Sequence, residues 1–162
     1  VTDDVTIAPA VASDAGEILT VQRAAYLVEA QRYRDLFLPP LTETLDEVRA
    51  ALAGPAVVLA ARRGTRLVGS VRARLDGGTA HVGRLSVAPD QQGHGIGGRL
   101  LSAVERACAG RVTRFALFTG ADSTDNLGLY ARRGYRVVAH RPDENGNRLA
   151  VLEKVSPARS DA

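Results

Sequence analysis

The sequence predicts a single mixed α/β domain: a sheet of about seven strands flanked by about four helices. Three observations carry that expectation. Segments with strand spacing and segments with helical spacing follow one another in the order β-α-α-β-β-β-α-β-α-β-β. Three of the strands come in a row with only short turns between them, which reads as an antiparallel meander. The chain has 162 residues, 45% of them apolar and 24% charged, which suits one core of ordinary size.

Each element has its own local reason. Val5 to Ala8 alternates polar and apolar, a short strand. Ser13 or Asp14 offers an N-cap, Glu17 sits in the first turn, and Ile18, Leu19, Val21, Ala25 and Val28 follow at helical spacing. Pro39-Pro40 stops that helix and predicts extended backbone. Thr44 and Glu47 form a capping box for a second helix, which Gly54-Pro55 ends. The apolar run Ala56 to Ala61, the alternating Leu67 to Leu75 and the run Thr79 to Val87 are the meander strands. A polar loop leads to the amphipathic helix Ile96 to Ala109, closed by Gly110. Arg114 to Thr119 is a strand, and Ser123 or Thr124 caps a short helix that stops at Gly134. Two strands, Tyr135 to His140 and Arg148 to Glu153, flank a turn at Asn145-Gly146-Asn147. The two βα steps after Thr79 imply parallel neighbours. The domain is expected over residues 1–155, with 156–162 as a C-terminal tail.

Composition removes several function classes. The formal net charge is +3, and the arginines are scattered singly or in pairs, without a basic run of the kind nucleic-acid arms carry. Aromatics make up 4%, too few for base-stacking platforms, so no nucleic-acid partner is expected. Cys108 is the only cysteine, which rules out an internal disulfide; between Val104 and Val112 it reads as a small buried hydrophobe. No apolar run is long enough to span a bilayer, and the first residues carry acidic side chains where a leader would be cationic. The expectation is a cytoplasmic protein with no membrane partner and no metal.

The most informative stretch is Leu85-Ser-Val-Ala-Pro-Asp-Gln-Gln-Gly-His-Gly-Ile-Gly-Gly-Arg99: strand, loop and helix start. Glycines at 93, 95, 97 and 98 bring bare backbone to the positive end of a helix, a site for phosphate. Gly93, Gly95 and Gly98 also satisfy a dinucleotide-binding G-x-G-x-x-G, with Asp122 roughly placed for a ribose. Against that, Pro89 to Gln92 separate the glycines from their strand. A merely tight helix entry is the plain alternative.

Gln92-Gly93-His94-Gly95-Ile96-Gly97 fits fully the (Arg/Gln)-x-x-Gly-x-(Gly/Ala) pyrophosphate loop of the GNAT acetyltransferase superfamily, which it resembles. A second segment, ending in Leu129-Tyr130-Ala-Arg-Arg-Gly134-Tyr135, looks like that superfamily's Leu-Tyr-x-x-x-Gly-(Phe/Tyr). The commoner family pattern has Asn seven residues before the Tyr. Here Ser123 holds that place and Asn126 stands four before, on the face of Tyr130. The resemblance covers most of the chain, is most specific from Thr79 to Tyr135 and is loosest before Ala56.

The resemblance implies a mostly antiparallel sheet splayed in its middle, with acetyl-CoA as cosubstrate in the opening. Leu85, Ser86 and Val87 would line its pantetheine arm. Amides of Gln92, Gly93, His94, Gly95, Ile96, Gly97 and Gly98 would hold the pyrophosphate, with Arg99 or Arg133 in reach of phosphates and Asn126 beside the cofactor. Tyr130 would serve the leaving thiolate. Counting back eleven positions from Gln92, where a histone-type branch has its glutamate base, gives His81; an imidazole suits a base near neutrality, and a half-exposed strand residue is the plain alternative. Glu29 and Tyr33 would belong to the acceptor wall. The implied reaction is direct transfer of acetyl to a primary amine of a small molecule or peptide, by a monomer or homodimer. A non-catalytic acyl-CoA sensor and a nicotinamide- or flavin-binding domain are the competing classes.

Overall fold

The structure is a computed structural model that describes residues 4–157. Its seven-stranded sheet has the order β1-β2-β3-β4-β5-β7-β6. The strands are β1 (Val5–Pro9), β2 (Val57–Arg63), β3 (Arg66–Asp76), β4 (Thr79–Val87), β5 (Arg114–Gly120), β6 (Arg136–Pro142) and β7 (Arg148–Val155). The helices are α1 (Ala15–Tyr33), α2 (Pro39–Thr42), α3 (Leu45–Ala53), α4 (Ile96–Cys108) and α5 (Thr124–Arg132). Among these residues no helix is long and apolar enough to cross a membrane.

The helices cover opposite faces because their apolar stripes do. Leu100, Leu101, Val104 and Cys108 of α4 close on Val68, Val71, Val82 and Phe115, all buried. Ile18 and Leu19 of α1 and Val48 of α3 close on Val58, Ala60 and Leu67 on the other face. Each such fully buried aliphatic contributes about 1.5–3 kcal/mol relative to exposure. The approach of α4 is close: a Cβ on Gly69 would lie 2.8 Å from the Ser86 carbonyl oxygen and 2.9 Å from Leu100 Cδ1.

Three expectations need correction. Pro39-Pro40 does not force extended backbone; the prolines open the one-turn α2, where their missing N–H groups would be unbonded anyway. Only the first βα step gives a parallel pair, β4–β5; β7 inserts antiparallel between β5 and β6, because the chain returns through the Asn145–Asn147 turn before closing the sheet. Ser123 precedes α5, yet its hydroxyl makes no capping bond. At the C-terminal end, Ser156 is buried and its amide donates to Thr113 O at 2.9 Å, so the body of the domain reaches at least that far. The rest of the expected tail, from 158 on, lies outside the described residues.

One irregularity makes the site. The β3–β4 register steps from Ser70↔Ser86 to Arg72↔Gly83, which sets Arg84 and Leu85 opposite the single residue Val71. Arg84 absorbs the bulge with φ 54°, a left-handed value uncommon for a residue with a side chain. Pairing of β4 with β5 runs only from Thr79↔Arg114 to His81↔Ala116, while β5 stays bonded to β7 along its full length. The sheet therefore opens at its centre.

Candidate active site

A cavity of about 1060 Å³ occupies that opening. It extends from the loop before α4, between the diverging halves of β4 and β5, to α1, α2 and the β6–β7 turn.

The α4 end is built from backbone. Gly93 and Gly95 have φ of 80° and 81°, so the chain can make the tight turn into the helix. The amide of Arg99 donates to Gly95 O at 3.1 Å, which leaves those of Ile96, Gly97 and Gly98 as orphan donors of the first turn. That turn carries no acidic residue to compete for them. Side chains brace the loop from outside. Arg66 forks onto Asp90 at 2.7 and 2.8 Å, and Arg63 Nε donates to Gln91 Oε1 at 2.9 Å. The Gln92 side chain folds back and donates to Val87 O at 3.2 Å, so it fixes the loop on β4.

Of the residues singled out in the sequence, Leu85, Val87, Gln92, Gly93, Gly95, Ile96, Gly97, Gly98, Asn126, Tyr130, Glu29 and Tyr33 line the cavity. Other candidates fall elsewhere. Arg99 Nη2 donates to the Val5 carbonyl at 2.8 Å, turned away toward β1. Arg133 Nη1 donates to Ser102 Oγ at 2.8 Å and its guanidinium lies over Gly98; of this arginine pair it is Arg132 that lines the cleft. His81 is half-buried opposite Arg74, at the last β4–β5 pair, and it does not line the cavity. Neither do Ser86, which is buried with its hydroxyl donating to Arg84 O, and His94 in the loop.

Tyr130 stands where the two ends meet. It is buried, with its ring edge-on to Tyr135 at 6.0 Å between centroids. Burial pushes its phenol well above the usual value, and the fields of Tyr26 and Glu29 add to that, so it is a protonated hydroxyl at any working pH. Asn126 Nδ2 donates to Thr119 Oγ1 at 3.3 Å. Ser123 Oγ donates to Glu29 Oε2 at 2.5 Å, while Arg32 Nη1 holds Glu29 Oε1 at 2.7 Å. The serine at the position of the family asparagine thus ties α5 to α1. Tyr33 Oη accepts the Asp122 amide at 2.9 Å and covers Gly120.

Sequence reasoning missed a polar cluster on the same side. Glu43, between α2 and α3, takes a fork from Arg72 at 2.5 and 2.9 Å and a bond from Gln22 Nε2 at 3.0 Å. Burial works to raise the Glu43 pKa, but the bonds from Arg72 and Gln22 and the charges of Arg72 and Arg84 overcome it and lower it to about 2. Tyr26 lies against this group, and burial first of all pushes its phenol up to about 12. The only sequence signal was polar residues at strand and helix positions, with nothing to say which would meet. Among the described residues no cluster of three or more potential metal ligands occurs.

Comparison with known proteins gives a consistent picture. A mycothiol acetyltransferase from Kineococcus radiotolerans is 35% identical over 96 residues, covering 57% of this chain and 32% of its own length. One from Clavibacter sepedonicus is 38% identical over 96 residues, covering 58% and 32%. The matched region thus spans about a third of these relatives. The PaiA N-acetyltransferase of Thermoplasma acidophilum, solved in complex with coenzyme A, superposes with a TM-score of 0.77 at 15% identity, over 94% of this chain and 99% of that one. Such a likeness establishes the shared fold, which is not the doubly wound sheet a dinucleotide-binding domain would need. Residues 23–135 match the family described as Acetyltransferase (GNAT), and to that family this chain belongs.

Proposed function

We propose that the protein is an N-acetyltransferase that moves the acetyl group of acetyl-CoA to a primary amine by direct attack in a ternary complex. One observation carries the reading: orphan amides at the start of α4, an unpaired edge of β4 and the hydroxyl of Tyr130 open into one cavity. The residues present fit the cosubstrate. Donors at a positive helix end suit a pyrophosphate, and the unpaired β4 edge suits the amides of an extended arm. Acetyl-CoA supplies an activated thioester; the C–N bond forms, the C–S bond breaks, and the amine proton leaves so that the sulfur departs as a thiol.

The chain's own groups divide the work. The β4 edge and the α4 amides bind and orient. Tyr130, too weak an acid to surrender its proton outright to a thiolate of ordinary basicity near 8.5, donates a hydrogen bond to the sulfur. Glu29 and Tyr33 shape the acceptor wall. His81, off the cavity lining, is given no role; the amine proton passes to solvent, and solvent returns one to the departing sulfur. A thiol-release screen of acetyl-CoA across an amine library tests the reading, with melting-temperature shifts for acetyl-CoA, NAD and FAD alongside. Expected are release with at least one primary amine and a shift with acetyl-CoA alone. Firm coenzyme A binding without release for any amine would make the protein a sensor.

A further inference from the structure

The polar cluster around Glu43 is unbalanced. Its one carboxylate faces two guanidiniums, those of Arg72 and Arg84. Arg72 takes both oxygens in a fork, and Gln22 shares one of them. Arg84 is left with Glu43 Oε1 at 3.6 Å, beyond hydrogen-bond reach. Its Nε is buried with no hydrogen-bond partner among the described residues, a costly condition for a charged donor. Glu29, another acid of the same wall, is engaged by Arg32 and Ser123.

The position of this cation gives it direction. Arg84 lines the cavity and is the left-handed residue of the β4 bulge, so the irregularity that opens the sheet also aims the side chain. It meets Glu43 on the face covered by α1 and α3, whereas α4 and its orphan amides cover the other face. Its charge is thus offered to the acceptor half of the cleft.

We infer that the acceptor amine carries a carboxylate, and that Arg84 binds it. The inference rests on the transferase reading for the identity of the acceptor site. A guanidinium fork is the natural partner of a carboxylate, and a ligand that supplies one from the cavity side offsets the excess positive charge. The acceptor class is therefore an amino acid or a short peptide with a free C-terminus, as opposed to a polyamine or an aminoglycoside, whose added cations would meet Arg84 as a like charge.

The test compares matched pairs: β-alanine with its amide, glycylglycine with its amide, and 4-aminobutyrate with butylamine. kcat/KM is measured at saturating acetyl-CoA and referred to the neutral-amine fraction, and binding to the coenzyme A-loaded protein is measured by calorimetry. The carboxylate member should be preferred by about 10-fold or more, the value of a charge-assisted bond. Arg84→Gln should bring that ratio close to one, and Arg84→Lys should keep part of it. Absence of any preference, absence of binding by every carboxylate member, survival of the preference in R84Q, or an equal loss for both members of a pair would overturn the inference. Arg84-dependent binding of carboxylate amines without turnover would keep it and overturn the transferase reading; turnover of the uncharged members alone would do the reverse.

Discussion

The two ends of the cleft are built by opposite means. At the α4 end the candidate groups are main-chain amides from the one run of residues that turns into α4, and side chains only brace the loop from outside. At the α1 end they are side chains drawn from α1, the α2–α3 connection, β3, β4 and α5. The difference teaches where each end is vulnerable. A backbone site fails when a Cβ or a changed dihedral disturbs the amides, and it tolerates other side-chain changes. A side-chain site fails when one partner leaves the others unpaired.

Tyr130, between the two ends, should show the largest effect. Tyr130→Phe is expected to lower kcat by about 100-fold or more, in the range for a hydrogen-bond donor lost from a developing charge, while the Kd for coenzyme A stays the same. A parallel loss of coenzyme affinity would mean that the hydroxyl belongs to the backbone-built end after all. Next, Gly95→Val puts a β-branched residue at φ 81°, which costs at least about 1–2 kcal/mol. Coenzyme A affinity should fall about 10-fold in calorimetry, and the amine preference should survive.

At the other end, Glu43→Gln strips the neutralising charge from Arg72 and Arg84 and should cost about 2 kcal/mol in denaturant unfolding at neutral pH. Its pH dependence has a definite sign. The folded carboxyl is held near 2 against an ordinary 4.5, so its contribution is complete above the higher value. It is lost as pH falls from there through the lower value, because the unfolded chain takes up the proton first. The gap in Tm between wild type and E43Q should therefore close on acidification, and a gap that widens would contradict the network. The smallest effect sharpens the contrast. Arg99→Gln touches a side chain bonded to Val5 O, so coenzyme A affinity should change by less than about 2-fold, since a surface polar substitution of this kind rarely costs more.

The same contrast explains what the sequence made legible. The order of elements followed from periodicity and capping, and the capping box at Thr44 and Glu47 forms as read, with bonds of 3.0 and 3.2 Å. The tight turn into α4 was readable because its glycines fall within one short run and their spacing is itself the geometry. The arginines near it were not, because reach says nothing about direction: Arg99 turns to β1 and Arg133 to Ser102. The Gln22–Glu43–Arg72–Arg84 group was invisible because four residues from four places meet only through the fold. The bulge that brings Arg84 there lies inside a strand whose apolar pattern gives no sign of an extra residue. The swapped order of β6 and β7 shows the same limit, since periodicity fixes a strand's existence and leaves its neighbours to the tertiary fold.

Cys108 is fully buried on the inner face of α4, and burial pushes its thiol up, away from the reactive thiolate. The chain thus has a single sulfhydryl, and it is sealed from solvent. Chromogenic disulfide reagents used on the folded protein will register coenzyme turnover against a flat baseline. A late rise in that baseline equal to one thiol per chain would signal that the α4 face has come off the sheet.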